Sequence, residues 1–403
     1  MSLHCLLASR RRSTRIPCLA IAAFMSVFPL MGCGGSSPRP AARTFTFHSL
    51  ASFDASTGSR PVSVVTIDRS GNLFGTAFTA GPGGRGAVWK IAAGTRTVQT
   101  VAAFTGTNGQ NPAAGVTIND DGDIFGTASS GGVDNNGTLW KIAHGTNTIE
   151  TIAAFSGADG AVPVCQVTLA SNGDLFGTTG LGGAHALGTV WRVLAGTNTV
   201  EVIDTFAGPN GAEPEGRVTR DGSGNLFGTT VFGGDNGRGT VWKVPAGTNR
   251  IETITPFPDS ANSTALAESS VVLDSQGNLF GTAQFGGPND EGMVCEIPVG
   301  SSALRTVASF NGANGLLPTG DLVFDSDGDL FGTTQSGGAN GKGTVWEIAA
   351  GTNAIKTLVS FDGANGSDPV AGVTRDGSGN LFGTTQTGGA HSVGTVFELT
   401  PDG

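Results

Sequence analysis

The sequence predicts an all-β fold, a seven-bladed β-propeller of four-stranded blades, closed by an N-terminal strand completing the last blade. Three observations predict it. The first is a phrase that recurs seven times and reads GDLFGTTQSGGANGKGTVWEI in its clearest copy, residues 328–348. Its Leu-Phe or Ile-Phe pairs begin at Leu73, Ile124, Leu175, Leu226, Leu279, Leu330 and Leu381, at steps of 51 residues with one step of 53. A fixed period of this size marks one supersecondary unit per repeat. The second is the content of each unit. Four strand candidates, a to d, fit in it; in the second unit they cover 112–119, 123–129, 137–143 and 147–155. Four strands in such a period suit a blade better than one turn of an open solenoid. The third is a mismatch at the ends. The last unit stops after strand c, at GTVFELTPDG, while residues 43–53 supply a spare strand d before the first unit. A ring puts that spare strand to use and removes exposed edges.

The elements follow in chain order. Residues 1–32 read as a lipoprotein signal peptide: a basic stretch with Arg10, Arg11, Arg12 and Arg15, then an apolar run over 16–30, too short to span a bilayer comfortably. LMGC, ending at Cys33, resembles a bacterial lipobox, which implies cleavage before Cys33 and acylation of its thiol. Position 34 is Gly rather than Asp, so the familiar inner-membrane retention signal is absent. Residues 33–42 form the lipidated cysteine and a short tether, and 43–403 the propeller. Before each Leu-Phe pair stands a Gly such as Gly71 or Gly122, followed by Asn or Asp, which supplies the positive φ of a tight a-to-b hairpin. A looser Gly-rich loop joins b to c. Strand c, as in GTVWEI, carries bulky Val345 and Trp346 on opposite faces, so both faces are covered.

Composition agrees. There are 66 Gly and 23 Phe but no Tyr, and charged residues make up 13%, about half the usual ~25%. Loss of the four leader arginines takes the net charge from −10 to −14. So acidic a chain with few lysines is a poor candidate for nucleic acid. The reading is a monomer without cofactor.

The repeated phrase resembles the GloVer tandem repeat of choice-of-anchor surface proteins, with Phe at all seven places of the usual Tyr. The resemblance covers essentially the whole mature chain. It implies a surface location and a propeller-like repeat, and carries over no activity and no catalytic residue.

The turns Asp325 to Asp329 and Asn119 to Asp123 resemble the start of a calcium loop, but Ser336 and Ser130 stand where such a loop needs its last carboxylate. Acidic hairpin turns are the reading, and no metal site is expected. His48, His144, His185 and His391 match no zinc spacing and read as solvated. Cys165 and Cys295 read as packed small hydrophobes without a disulfide. Trp89, Trp140, Trp191, Trp242 and Trp346 read as packing between blades, with sugar contact as the alternative. No nucleophile elbow or phosphate cradle is present.

In a near-perfect repeat a single site must lie where the copies differ. Nine residues before each pair the series runs Val64, Gly115, Gln166, Arg217, Ser270, Asp321, Gly372. Four polar residues thus fall in consecutive blades at the start of the innermost strand. Gln166, Arg217, Ser270 and Asp321, with Glu213 and Glu215 in the adjoining loop, are the candidate ligand-binding residues. The expected ligand face carries the d-to-a and b-to-c loops, centred on units four to six, with the loops at 258–267 and 285–292; Asn72 lies on the opposite face. The function expected is a non-catalytic propeller, lipid-anchored at the bacterial cell envelope, in the outer membrane, with an envelope protein or glycan as partner. An enzyme using Arg217, Asp321 and a Glu, as a lyase or hydrolase, is the alternative. A repeat-wise lectin is a third.

Overall fold

A computed structural model describes residues 43–257 and 269–402. The leader, Cys33, the tether and most of the fifth unit's d-to-a loop lie outside the described residues. Every regular element among the described residues is a strand, so none is a helix able to cross a membrane.

The strands form seven antiparallel four-stranded sheets. In blade one the order is a (Thr66–Ile67), b (Leu73–Ala77), c (Ala87–Ile91) and d (Gln99–Ala103), and the next five blades repeat it. Blade seven has a (Thr374–Arg375), b (Leu381–Thr385) and c (Thr395–Pro401); its fourth strand is the N-terminal Phe45–Ser52. Phe45 stands opposite Pro401 and Ser52 opposite Thr395, with a register shift between Ser49 and Ala51.

Threonine hydroxyls join successive blades. On the inner strand, Thr66 donates to the Val116 carbonyl, Thr117 to Val167 and Thr168 to Val218. Thr374 of blade seven donates to Val65 of blade one in the same way. The threonine of the Leu-Phe-Gly-Thr phrase makes a second set: Thr76 to the Ala114 carbonyl, Thr333 to Ala371, and Thr384 back to Ser63. Blade seven therefore bonds to blade one as blades one to four bond to their successors, while in blade five Thr282 bonds to Ser269 of its own blade. These buried bonds satisfy backbone carbonyls that no strand ladder reaches.

Strand a is shorter than its sequence suggests. In blade two only Thr117–Ile118 pair, not 112–119. Pro112 has no N–H to give a ladder. The carbonyl of Ala114 bonds to Thr76 of the neighbouring blade instead of to its own sheet.

The core lies between blades. Each of the five tryptophans is fully buried. The ring of Trp89 meets Phe53 edge-on at 5.5 Å, and Trp140 meets Phe104 at 5.6 Å. Phe53 directly follows the N-terminal strand, so the last blade packs on the first as Phe104 of blade one packs on blade two. The indole also lies flat over the glycine of its own strand b. A Cβ at Gly75 would fall 2.5 Å from Trp89 Cζ2. In blade five Cys295 replaces the tryptophan, and a Cβ at Gly281 would make only ordinary contacts, with Val271 Cγ1 at 3.6 Å and the Ser270 carbonyl oxygen at 3.8 Å.

Two outcomes follow from this packing. Gly75→Ala should cost about 1–3 kcal/mol through overpacking, whereas Gly281→Ala should stay within about 0.5 kcal/mol of the parent; urea denaturation measures both, and equal losses would mean that the indole is not what demands glycine. Removing residues 43–53 takes away strand d of blade seven together with Phe53. That truncation should lower stability by several kcal/mol, comparable to a whole domain's margin of about 5–15 kcal/mol, and an unchanged melting temperature would count against the role of the strand.

A candidate ligand site on the propeller axis

The residues that precede strand a line a small cavity of about 120 Å3 where the inner strands of six blades converge. Gln166 of blade three, Glu215 and Arg217 of blade four and Asp321 of blade six form its polar wall. Val64, Ala114, Gly115 and Ala371, from blades one, two and seven, form a small apolar wall. The glycines of the series are sterically fixed. A Cβ at Gly115 would lie 3.0 Å from the Val64 carbonyl oxygen and 3.3 Å from Gln166 Cδ, and one at Gly372 would overlap the Asp321 carbonyl. The inner strands run too close there for a side chain, so the irregular series has a structural cause at these two positions.

Ser270 does not line the cavity. It is buried and links two residues that do. The Arg217 backbone N–H donates to Ser270 Oγ at 3.0 Å. The Ser270 hydroxyl and N–H both donate to Asp321 Oδ1, at 2.6 and 2.9 Å. Gln166 Nε2 donates to the Val116 carbonyl at 2.7 Å. The Arg217 guanidinium is different: its Nε is fully buried and has no hydrogen-bond partner. Cys165 also lines the cavity, which its sequence position did not announce. Burial pushes its thiol up, outweighing hydrogen bonding at Thr178 and the charge of Arg217.

Glu213 lies apart from the cavity lining. It belongs to a set of residues held at positive φ directly before a proline: Arg60, Asn111, Val162, Glu213, Leu317 and Asp368, at φ 54° to 57°. The Glu213 N–H donates to the Leu187 carbonyl and its own carbonyl accepts from the Val231 N–H, both at 3.0 Å. This pair of bonds latches two neighbouring blades through the backbone, at a conformation that costs a non-glycine residue some strain. The signal was in the sequence as a residue of any type before Pro61, Pro112, Pro163, Pro214, Pro318 and Pro369.

Larger hollows exist elsewhere. Beyond Gln166 and Arg217, which line both spaces, the channel widens to about 520 Å3 among Thr66, Thr117, Thr168 and Thr219. Grooves of about 630 and 460 Å3 open between blades five and six and between blades one and two, beside the a-to-b turns. The expected ligand face is the other one. The buried tryptophans present no sugar platform in any of these spaces, and Lys90 covers the Phe74 ring at 5.3 Å.

The acidic turns are hydrogen-bonded Asx turns. Asp221 Oδ1 accepts the N–H groups of Ser223 and Asn225, while Asn225 Nδ2 donates to Asp221 Oδ2 at 2.6 Å. Asn225 Oδ1 accepts the Ala246 N–H, tying the a-to-b turn to the c-to-d turn. This explains the recurrent Asn or Asp before each Leu-Phe pair. At the most acidic turn Arg43 pairs with Asp325 at 2.7 Å and with Asp327. Among the described residues no three His, Cys, Asp or Glu side chains are grouped to hold a metal ion. His144, His185 and His391 are exposed.

Burial alone would raise the Asp221 carboxyl, but the bonds from Asn225, Ser223 and Gly224 outweigh it and hold the group below its ordinary value. Asp123 is likewise held down, with Lys141 and the His144 N–H overcoming burial. Ser56 and Thr57 bring Asp54 down to about 2. Depressed carboxylates contribute stability that is present above the unfolded value of about 3.9 and is lost as pH falls through the folded value. The urea midpoint should therefore fall between about pH 4 and 2, and Asp221→Asn should flatten part of that fall. A midpoint independent of pH in this window would contradict the assignment.

A sequence profile described as the Gloeobacter/Verrucomicrobia repeat matches residues 38–230 and 217–403. No curated protein matches the chain in sequence. Among solved structures, the extracellular domain assigned to a hybrid two-component system of B. thetaiotaomicron is similar at a TM-score of 0.60 and 11% identity, over 90% of this chain and 40% of that one. A puromycin-hydrolyzing peptidase of Mycobacterium tuberculosis is similar at 0.56 and 11%, over 90% and 56%. An oligogalacturonate lyase of Vibrio parahaemolyticus is similar at 0.50 and 11%, over 89% and 97%. The chain thus spans about two fifths of the first of these. At such identities the likeness is one of fold.

Proposed function

The chain belongs to the Gloeobacter/Verrucomicrobia repeat family, and from that premise we propose a non-catalytic binding protein of the bacterial cell envelope. It is held to the outer membrane by lipid on Cys33 and takes an envelope protein or glycan on the face of the d-to-a and b-to-c loops. The observation that carries the reading is the convergence of Gln166, Glu215, Arg217 and Asp321 on one cavity, just inside that face, in a ring whose other shared positions are packing or turn residues. Loops that vary on a rigid scaffold are where binding usually resides.

The course of the first strand supports the orientation. Phe45 pairs with Pro401, at the end of blade seven carrying the a-to-b and c-to-d turns, and the strand runs from there toward the b-to-c loops. Arg43 is clipped to the a-to-b turn of blade six. Within the described residues the propeller chain thus begins, at Arg43, on the side opposite the proposed partner face.

Cys33→Ala should abolish acylation and move the protein from the membrane to the soluble fraction; retention in the detergent phase would reject the anchor. Capture experiments on glycan arrays and envelope extracts identify the partner, and Arg217→Ala or Asp321→Ala should weaken its capture while Asn72→Ala should not. Equal effects from both faces would reject the face assignment.

A further inference from the structure

The phenylalanine of each Leu-Phe pair stands opposite one residue of strand c. In blades one, two and four that residue is Lys90, Lys141 or Lys243. Each lays its ammonium over the ring, at 5.3, 5.7 and 5.5 Å from the centroid. The contact is attractive because the face of the ring is electron-rich. In blade three the residue is Arg192, which pairs with Glu201. In the last three blades it is acidic: Glu296, Glu347 and Glu398. Phe331 and Phe382, opposite the second and third of these, are buried. Phe280, opposite Glu296, is half-buried. Among the described residues no cation lies over it.

Two equivalent grooves show the difference. The groove of about 460 Å3 between blades one and two has both Phe74 and Lys90 in its lining. The groove of about 630 Å3 between blades five and six is its counterpart, with Phe280 in the place of Phe74 and Phe324 in the place of Ile118. Its two rings meet edge to face at 5.2 Å, and Val307 and Ile348 extend the apolar floor. The charged residues of the lining are Asp274, Asp325 and Asp327, with no lysine or arginine among them. Arg43 already pairs with Asp325 and Asp327. The Asp274 carboxylate takes its bonds from Gln276 and Asn278 of its own turn. Arg305 is exposed and stands opposite Glu296 in the register. An anion entering this groove would meet carboxylates. We infer that the groove between blades five and six binds a free primary alkylammonium, with its ammonium over the Phe280 ring and its stem on Val307 and Ile348. The ligand takes the place that the chain's own lysine takes in blade one, so its stem matches the four carbons of a lysine side chain. The site lies beside the a-to-b turns, on the face opposite the proposed partner surface, and does not depend on that reading.

The test is a proton NMR titration of the full-length protein in detergent with butylammonium, alongside butanol, butyrate and a capped lysine. The methylene signals of butylammonium should move upfield on binding, because they lie over ring faces. Butanol and butyrate should bind at least about fivefold more weakly, the size of a cation–π contact. Phe280→Leu should weaken butylammonium by about fivefold and remove the upfield shift. Asp274→Asn should weaken it by about threefold; Asn119 holds the equivalent turn in blade two, its Oδ1 accepting the Asp123 N–H at 2.8 Å, so the turn survives the change. Glu296→Lys is the decisive variant. It puts a lysine opposite Phe280, as in blades one, two and four, and should cut binding at least about tenfold by covering the ring from within. Lys90→Ala, in the other groove, should leave the affinity unchanged. Near-ultraviolet circular dichroism checks that each variant is folded. No upfield shift at millimolar butylammonium, equal binding of butanol or butyrate, or a folded Glu296→Lys protein of unchanged affinity would each overturn the inference. Tighter binding of the capped lysine than of butylammonium would overturn the free amine as occupant. Loss of a captured partner through Arg217 or Asp321 leaves this site untouched, so the two readings fail separately.

Discussion

The structure depends on one contact, made in five of the seven blades: an indole laid against a glycine of its own blade and met by a phenylalanine of the blade before, with Phe397 in the indole's place in blade seven. The absence of a Cβ at the glycine lets the ring approach the backbone of strand b, and the phenylalanine then closes the gap between blades. The same geometry takes in Phe53, which arrives from the N-terminal strand rather than from a preceding unit. Blade five shows that the contact can be relaxed once. Cys295 fills less space, and Phe257, Met293 and Val271 gather around it instead. A ring distributes its stability over near-identical interfaces, so one softer interface is tolerated where an open stack would offer a fraying end.

That uniformity shapes what can be functional. Most residues the seven units share are committed to holding blades together, down to threonine hydroxyls whose acceptors are carbonyls of the next blade. Chemistry is left to positions where the units differ. On the axis those positions are also the most crowded, so glycine at two of them lets side chains from the others enter the space. The polar wall and the bare wall of the cavity are two consequences of one packing problem.

How much of this was legible follows the same division. The blades, their order and the use of the spare strand could be read because period, turn glycines and strand patterning all repeat. The gathering of Gln166, Arg217 and Asp321 could be read because they break the repeat at a single inner position. Four things could not. Ser270 shares that position but is buried beside Asp321, since burial at one point of the series depends on the neighbouring blade's side chain. Glu213 looked like a candidate acid, whereas its backbone conformation before Pro214 is what the fold uses. Strand a looked long because its residues suit a strand; its carbonyls are claimed by the next blade, a competition invisible along one chain. Arg43 is a fourth case, legible only as a cation near the most acidic of seven turns once the spare strand has been placed.

Closure by an N-terminal strand does more than remove an edge. It fixes where the chain enters the propeller, because Phe45 must stand opposite Pro401 for Phe53 to reach Trp89. The ion pairs of Arg43 and the bond from Lys356 to the Arg43 carbonyl hold that entry point against blade six. Exposed ion pairs contribute little one at a time, about 0–1 kcal/mol, but Asp325 is buried and so is Glu347, the partner of Lys356. A load applied to the N-terminal segment therefore meets this cluster before it reaches the strand. Peeling strand d would begin at Phe45, at the clipped end, and would have to break the eight-residue strand's ladder from there before Phe53 was freed. The order of those contacts along the chain places the charged clip outermost and the aromatic contact innermost.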